Sequence, residues 1–282
     1  MSRKPSSRKY NYNKRLRKPK TPRQAKRSRM LLFALIAGLS GLFIYAAVML
    51  ISTVIEQNES SRIYGGLMDT ALEVSLDAQP SIRTGSGPQD ESNAVPVKID
   101  FEALTQINGD VVGWLYAENT PINYPVVQGK NNEYYVDHLI DGTRNRSGTL
   151  FLDFENNDRF FDNNSIIYGH NMNNGSMFAC LTQYRSQQYF EEHPHLYLLT
   201  PRTNYRIDLF SGYTTAYDSE AYQKHFESST EFNRYILRIY EKSDFINNVQ
   251  IKEDDKIITL STCTYQYDDA RYVVHGKLVA AG

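Results

Sequence analysis

Cys263 stands at the end of a strongly β-forming run, Ile257-Ile-Thr-Leu-Ser-Thr-Cys-Thr-Tyr265. Side chains alternate between the two faces of a strand, so Cys263 shares a face with Ser261, whereas Ile258 and Leu260 lie on the opposite, more apolar face. This placement weakens the interpretation of Cys263 as a buried structural thiol but does not exclude it, so the pattern alone leaves both interpretations open. A cysteine nucleophile needs a partner that supplies the thiolate and a donor that stabilises an oxyanion.

His170 is the strongest candidate for an acid–base partner among the six histidines of the chain. It follows a short β-forming run at 165–168, and Gly169 allows a turn that projects the imidazole from the end of that strand. The alternative is a solvated loop histidine without a chemical role. His275 lies inside a later β-forming run, and we expect it to be a half-buried strand residue.

Arg271 follows Cys263 by eight residues, across a turn-forming Tyr-Gln-Tyr-Asp-Asp segment. If the flanking strands pair as a hairpin, the guanidinium returns alongside the thiol, where it could hold an oxyanion or a substrate backbone. The alternative is a strand-end arginine that pairs with Asp268 or Asp269.

The second cysteine, Cys180, lies in a short predicted helix, and we expect it to be a small buried hydrophobic residue. A disulfide between Cys180 and Cys263 stays open, because an oxidising compartment would permit it. No Cys/His spacing matches a zinc site, and we expect neither a metal nor another cofactor.

The elements that must position these residues are mostly short β-strands. Branched and aromatic runs between turn residues predict eight strands, at 111–116, 122–128, 148–154, 164–168, 196–200, 205–213, 256–262 and 271–280. This number of short strands favours a mainly β fold with a closed barrel over an α/β sheet. Apolar residues at helical spacing predict an N-terminal helix at 101–107 and a second helix, inserted before the cysteine strand, within 220–247.

The first 55 residues have a different composition from the rest of the chain. Residues 1–30 contain 13 Lys and Arg residues and no acidic residue, whereas residues 31–282 hold 18 basic and 32 acidic residues. Residues 30–55 contain no charged side chain, and a helix of that length spans roughly 39 Å, enough to cross a hydrocarbon core of about 30 Å. We therefore predict a separate transmembrane signal-anchor helix at 30–55, with a cleaved signal peptide as the alternative.

The charge distribution also predicts the topology and the domain organisation. The excess of cations before the apolar segment indicates a cytoplasmic tail at 1–29 and an extracellular C-terminal side. A dense basic tail can indicate nucleic-acid binding, but beside a membrane span it contacts anionic lipid, so residues 1–55 are expected to bind membrane lipid and no nucleic acid. A polar, turn-rich stretch at 56–97 predicts an extracellular linker or stalk, followed by a compact domain at 98–282 that holds the candidate catalytic residues.

Three motifs in a fixed order carry a resemblance to a known family: Tyr168-Gly-His-Asn171, Thr259-Leu-Ser-Thr-Cys263 and Arg271 at the start of the last strand. Behind an N-terminal membrane span, this ordered set resembles the sortases over about residues 100–278. Further segments and the helix before the cysteine strand are similar to class B; the segments are Gly113–Leu115, Tyr124–Gly129, Gly148–Asp153 and His170–Phe178.

The resemblance implies a sortase-type β-barrel and a cysteine transpeptidase reaction. Cys263 would attack a Thr carbonyl in the C-terminal sorting motif of a secreted protein, His170 would exchange protons with the leaving and incoming amines, and Arg271 would stabilise the oxyanion. An amine of a lipid-linked peptidoglycan precursor, or a pilin lysine, would resolve the acyl-enzyme. Three further positions match substrate-contacting positions of the class, namely Ser261, Asn132 and Tyr222.

The sequence departs from class B in two respects. The spacing from Cys263 to Arg271 is shorter than in some members, and Thr264 stands where those members carry an acidic residue. An acidic residue that orients His170 is not identified. Two other functions stay open: a cysteine endopeptidase that uses water in place of the amine, and a non-enzymatic membrane-anchored scaffold in which Cys263 is inert.

Overall fold

The computed structural model describes residues 22–73, 95–264, 266 and 269–282. The chain divides into two compact units at the junction of Val54 and Ile55. Residues 1–21 of the predicted tail, residues 74–94 of the predicted linker and Asp268 lie outside the described residues.

A long helix, α1 (Pro22–Ala71), contains the predicted membrane span. The most apolar part of its stretch Arg29–Met68 has a mean hydropathy of 2.3. Among the described residues, α1 is the one helix that is long and apolar enough to cross a membrane. Large apolar side chains of this stretch are exposed in the first unit, such as Phe43 at 75%. A continuous exposed apolar surface of this kind is suited to lipid and not to water.

The last part of α1, from Ile55 onward, belongs to the second unit. Tyr64, Leu67 and Ala71 are buried in the same apolar cluster as the barrel interior. After Ala71 the chain forms β1 (Leu72–Glu73), which pairs antiparallel with β2 (Lys98–Ile99). Within the stretch predicted as a linker at 56–97, residues 56–71 are therefore helical and pack on the barrel.

Eight strands close into a barrel, which confirms the predicted fold class. They are β3 (Val111–Tyr116), β4 (Asn123–Val127), β5 (Leu150–Leu152), β6 (Asn164–Tyr168), β7 (His195–Leu199), β8 (Asn204–Ala216), β9 (Ile257–Cys263) and β10 (Ala270–Ala281). Their order around the barrel is β10-β8-β7-β3-β4-β5-β6-β9, with the β4–β5 and β6–β9 pairs parallel and the other pairs antiparallel.

The alternation along β9 separates two apolar clusters. Ile258 and Leu260 point into the barrel interior, whereas Ile257 belongs to a second cluster on the outer face of the barrel. Cys263 shares the outer face with Ile257, because the two positions are six residues apart and the side chains alternate. The cysteine strand therefore places its thiol outside the barrel core, as its sequence pattern predicts.

The structure has the helix predicted at 101–107 and also a short helix that was not predicted. The helix α2 (Phe101–Ile107) begins after Asp100, whose side chain accepts a hydrogen bond from the Ala103 N–H. A short helix, α3 (Gln187–Glu192), follows a 3₁₀ helix at Ala179–Arg185.

The insertion before β9 contains a 3₁₀ helix at Glu220–Tyr222 and α4 (Ser229–Lys242). The hydroxyl of Ser228 caps α4, which explains why the helix begins later than the predicted interval at 220–247. Phe232, Tyr235, Ile236 and Ile239 form the buried face of α4, which packs on the outer surface of β8 and β10 and completes the second apolar cluster.

Candidate active site

Cys263 and Arg271 lie directly opposite each other in the β9–β10 pair. The strands form the predicted hairpin, and the Thr264 N–H donates to the Ala270 carbonyl at 3.0 Å where the strands end. The Arg271 guanidinium also donates to the Ala270 carbonyl at 3.1 Å. The eight-residue spacing therefore returns a permanent cation to the side of the thiol.

The His170 loop is fastened to the cysteine strand by the backbone. Strand β6 runs parallel to β9, with Tyr168 opposite Ser261, and the Gly169 N–H donates to the Ser261 carbonyl at 3.1 Å. One residue beyond the histidine, the Asn171 side chain donates to the Cys263 carbonyl at 3.0 Å. These contacts fix the start of the histidine loop next to the end of the cysteine strand.

The space around position 169 is too small for any side chain, so glycine is required there. A Cβ atom at this position would lie 2.4 Å from Leu150 Cδ2 and 2.6 Å from Phe178 Cδ2. Real Cβ atoms do not approach heavy atoms this closely, so the tight passage of the chain before His170 excludes every other residue type without a local shift.

A backbone carbonyl orients the His170 ring. Nε2 lies 2.7 Å from the carbonyl oxygen of Val136, at the end of a 3₁₀ helix formed by Tyr134–Val136. A carbonyl oxygen can only accept, so Nε2 carries a proton in this arrangement and Nδ1 is the nitrogen left for other exchange. The orienting group, which the sequence leaves unidentified, is thus a carbonyl at Val136.

All six site residues named from the sequence line one cavity of about 430 Å³; they are Asn132, His170, Tyr222, Ser261, Cys263 and Arg271. Seven other residues line the cavity and were not assigned to the site from the sequence, namely Val136, Thr149, Phe151, Tyr168, Gly169, Tyr217 and Thr262. Tyr168 opens the Tyr168-Gly-His-Asn171 motif, and its place two residues before His170 could have indicated that it lines the site. Val136 contributes a backbone group, which leaves no side-chain signal.

The walls of the cavity are joined by hydrogen bonds between side chains. The Tyr222 and Ser261 hydroxyls lie 2.8 Å apart, and Asn132 Nδ2 donates to Asp153 Oδ2 at 2.9 Å. The Tyr168 hydroxyl donates to the same carboxylate oxygen at 3.0 Å. Burial and the adjacent Asp153 carboxylate raise the pKa of Tyr168, which keeps this phenol protonated as a donor.

A family model described as the sortase domain matches residues 115–279. The chain belongs to the sortase family. Sortase B of Listeria monocytogenes is 38% identical over 185 residues, which cover 65% of this chain and 75% of the relative.

Two solved structures of high similarity are also sortase B structures. One is a Staphylococcus aureus sortase B–substrate complex, with 32% identity and a TM-score of 0.62, in which the match covers 64% of this chain and 85% of the other. The second is a sortase B complexed with triglycine, also with 32% identity and a TM-score of 0.62, covering 64% and 86%. This sortase is therefore a cysteine transpeptidase by family, with the class B barrel.

The two cysteines of this sortase have different environments. Both are free thiols, which leaves no disulfide between them. Cys180 is buried as predicted, and its burial raises the pKa of the thiol to about 11. A protonated buried thiol is a poor nucleophile, whereas Cys263 is partly exposed at the cavity.

His275 is fully buried, so the prediction of a half-buried residue is wrong. The reason is α4, which covers the outer face of β10 and packs a second apolar cluster against it. His275 Nδ1 bonds the Thr259 hydroxyl at 2.9 Å, and burial lowers the pKa of the ring to about 3. This histidine of the sortase is thus a neutral structural residue.

Thr264 has a side-chain partner in this sortase. Thr264 Oγ1 accepts a hydrogen bond at 3.0 Å from Arg185, whose guanidinium also lies over the Tyr272 ring at 4.8 Å. Within the described part of the chain, no group of three or more His, Cys, Asp or Glu side chains is arranged to hold a metal ion.

Proposed function

We propose that the chain is a membrane-anchored class B sortase that cleaves the C-terminal sorting motif of secreted proteins after Thr and joins the acyl group to an amine. The observation that carries the proposal is the position of Cys263 opposite Arg271 in one cavity with His170. These are the three functional groups that an acyl transfer through a thioester needs: a nucleophile, an oxyanion donor and a proton carrier.

In the first half of the reaction, the Cys263 thiolate attacks the Thr carbonyl carbon of the bound peptide. The Arg271 guanidinium donates hydrogen bonds to the oxyanion that forms. When the C–N bond breaks, His170 delivers its proton to the leaving amine, and the acyl group remains on sulfur as a thioester.

In the second half, an incoming amine attacks the thioester carbonyl. His170 takes a proton from this amine, the C–S bond breaks, and the Cys263 thiolate is restored. The Val136 carbonyl holds Nε2–H throughout, so the proton is exchanged at Nδ1. The acyl group ends in a new amide bond, and atoms and protons balance over the cycle.

The acceptor is an amine of the cell-wall precursor, with a pilin lysine as the second candidate. A solved sortase B has been crystallised with triglycine, which supports a glycine-type amine as the first acceptor to test on this chain. The uncharged segment of α1 at residues 30–55 would anchor the enzyme, and the basic residues that precede it would keep the N-terminus in the cytoplasm. The catalytic unit, from Ile55 onward, would then face the outside of the cell.

The experiment incubates the full chain, in detergent micelles, with a panel of threonine-containing sorting-motif peptides. Each peptide is tested alone, with triglycine and with a lysine-containing peptide, and products are identified by mass. A ligated product supports the proposal, and the preferred acceptor distinguishes the cell-wall type from the pilin type. Cleavage without ligation would indicate an endopeptidase, and no reaction with any peptide would indicate a scaffold; either result would overturn it.

A further inference from the structure

A buried carboxylate, Asp153, lies immediately behind the cavity and has no part in the reaction steps above. It follows β5 and is 3% exposed. Oδ2 accepts from Asn132 Nδ2 at 2.9 Å and from the Tyr168 hydroxyl at 3.0 Å. Oδ1 accepts from Lys224 Nζ at 3.0 Å and from the Glu155 N–H at 3.0 Å.

These donors come from separate parts of the chain. Asn132 precedes the 3₁₀ helix at Tyr134–Val136, Tyr168 ends β6, and Lys224 lies between the 3₁₀ helix at Glu220–Tyr222 and α4. Asn132 is held from its other side as well, because its Oδ1 accepts from the Phe154 N–H at 3.0 Å. Asp153 therefore joins three segments that are far apart in the sequence.

The network extends to the cysteine strand. The Tyr168 ring stacks on the Tyr222 ring, with centroids 6.1 Å apart and an angle of 17° between planes. The Tyr222 hydroxyl lies 2.8 Å from Ser261 Oγ, two residues before Cys263 on the same strand face. A contiguous set of side chains therefore runs from Asp153 through Tyr168 and Tyr222 to Ser261, two residues before Cys263.

We propose that Asp153 is a positioning residue of the peptide groove, which fixes Asn132 and Tyr168 as one wall so that the sorting peptide binds in line with Cys263. The inference rests on the proposed function only in taking this cavity as the peptide groove. Asn132 and Tyr168 both line the cavity. Asp153 acts through them and does not itself touch the substrate.

Only an ionised carboxylate can perform this role. Four donors converge on two oxygens, and a carboxylate offers about four acceptor sites. Burial alone would raise the pKa of Asp153, but the bonds donated by Glu155, Lys224 and Asn132 outweigh it and hold the pKa below its usual value. In an Asp153→Asn variant, one of the two oxygens is replaced by an NH2 group, which cannot accept a hydrogen bond. Whichever way the amide is turned, this group faces two of the four donors, and those two lose their acceptor.

The test compares Asp153→Asn with Asp208→Asn in the full chain in detergent. Asp208 is a suitable control, because it accepts from His195 at 2.9 Å and from Arg206 at 2.7 Å and lines a different cavity. We expect Asp153→Asn to raise KM for the peptide about tenfold, by loss of ordered contacts in the groove. The fraction of Cys263 that reacts with a thiol reagent should stay at the wild-type value in both variants.

A purely structural role predicts a different pattern. A variant that only unfolds in part loses active enzyme, so its apparent kcat falls while KM is unchanged. Asp208→Asn should lower the apparent kcat at most and should leave KM unchanged. The inference is overturned if Asp153→Asn leaves KM unchanged, or if Asp208→Asn raises KM by the same factor.

A double-mutant cycle provides a second measurement. If Asp153 acts through Asn132, then adding Asp153→Asn to Asn132→Ala should raise KM by much less than Asp153→Asn raises it alone. Independent, multiplicative effects would contradict the inference. A failure of the proposed function would look different, because the wild-type chain itself would then process no peptide, whatever residue stands at 153.

Discussion

Cys263 and Arg271 are direct cross-strand partners at the loop end of the β9–β10 hairpin. The Cβ atoms of such partners lie about 4.5–5.5 Å apart, so the guanidinium can reach an oxyanion formed on a carbonyl that the thiol attacks. The pair belongs to two adjacent strands of a closed barrel, which holds it more firmly than a loop could.

The guanidinium of Arg271 should be needed for fast acyl transfer. We expect Arg271→Ala to lower kcat/KM about 10²- to 10³-fold, the usual effect of losing one oxyanion donor. Arg271→Lys should restore only part of the rate, because an ammonium lacks the planar fork of donors. Lys277→Ala, on the same strand, is the matched control and should leave kcat/KM near the wild-type value; an equal loss there would contradict the role of Arg271.

A methyl group at Gly169 should displace His170. The new Cβ atom would lie within 2.6 Å of Leu150 and Phe178 side-chain atoms, so the loop must shift. We expect Gly169→Ala to destabilise the fold by about 1–3 kcal/mol and to lower kcat/KM at least tenfold. Gly109→Ala is the control, since a Cβ there meets nothing within 4 Å; wild-type activity in Gly169→Ala would count against this view.

The end of α1 should be part of the catalytic unit. Tyr64 is buried, and its hydroxyl donates to the Gly148 carbonyl at 2.6 Å and lies 3.1 Å from Thr149 Oγ1, beside the cavity. A fragment that begins at residue 55 should melt at a higher temperature than one that begins at residue 95. Tyr64→Phe should cost about 1–3 kcal/mol because it leaves a buried carbonyl without its donor.

Half-exposed Tyr134 provides the control for that substitution. Tyr134→Phe should change the melting temperature much less than Tyr64→Phe does. Equal melting temperatures for the fragments that begin at 55 and 95 would show that residues 55–71 contribute nothing to the fold.

Buried His275 should make the fold sensitive to mild acid. Its pKa falls from 6.5 in the unfolded chain to about 3 in the folded protein, so only the unfolded state binds the proton between these values. Stability from this residue is complete above pH 6.5 and declines below it, by about 1.4 kcal/mol per pH unit, until about pH 3. Urea unfolding of the fragment that begins at residue 55, between pH 7 and pH 4.5, measures the slope.

Replacing His275 with Gln should flatten that pH dependence, whatever it does to the stability at pH 7. His225, with a side chain that is 65% exposed, is the matched control. His225→Gln should keep the wild-type slope. An unchanged slope in His275→Gln would show that another group controls the acid response.

The sequence predicted the barrel and the cysteine strand well, because both depend on local signals. Branched residues in alternation identify β9, and the spacing to Arg271 implies the hairpin register that the structure has. The burial of His275 was not predictable in this way, since it depends on α4 packing across the outer face of β10. Strand alternation records which face a residue occupies, but not what covers that face.

The contacts that orient the site were also beyond the sequence. The Val136 carbonyl, 34 positions before His170 in the sequence, accepts a hydrogen bond from its ring. Every residue has a backbone carbonyl, so the residue types cannot indicate this contact. Asp153 accepts hydrogen bonds from Asn132, Tyr168 and Lys224, which lie in three separate segments whose mutual position is set by the barrel. Such networks are long-range consequences of the fold, so they appear only when the strands are in place.

The most direct test of the central claim is the intact mass of the protein after reaction with a threonine-containing sorting peptide in the absence of an amine. The wild type and the Cys180→Ala variant should both gain the mass of the peptide up to and including Thr, held as a thioester that added triglycine removes. Cys263→Ala should gain no mass and ligate no peptide. An adduct or a ligated product formed by Cys263→Ala would contradict the assignment of Cys263 as the nucleophile.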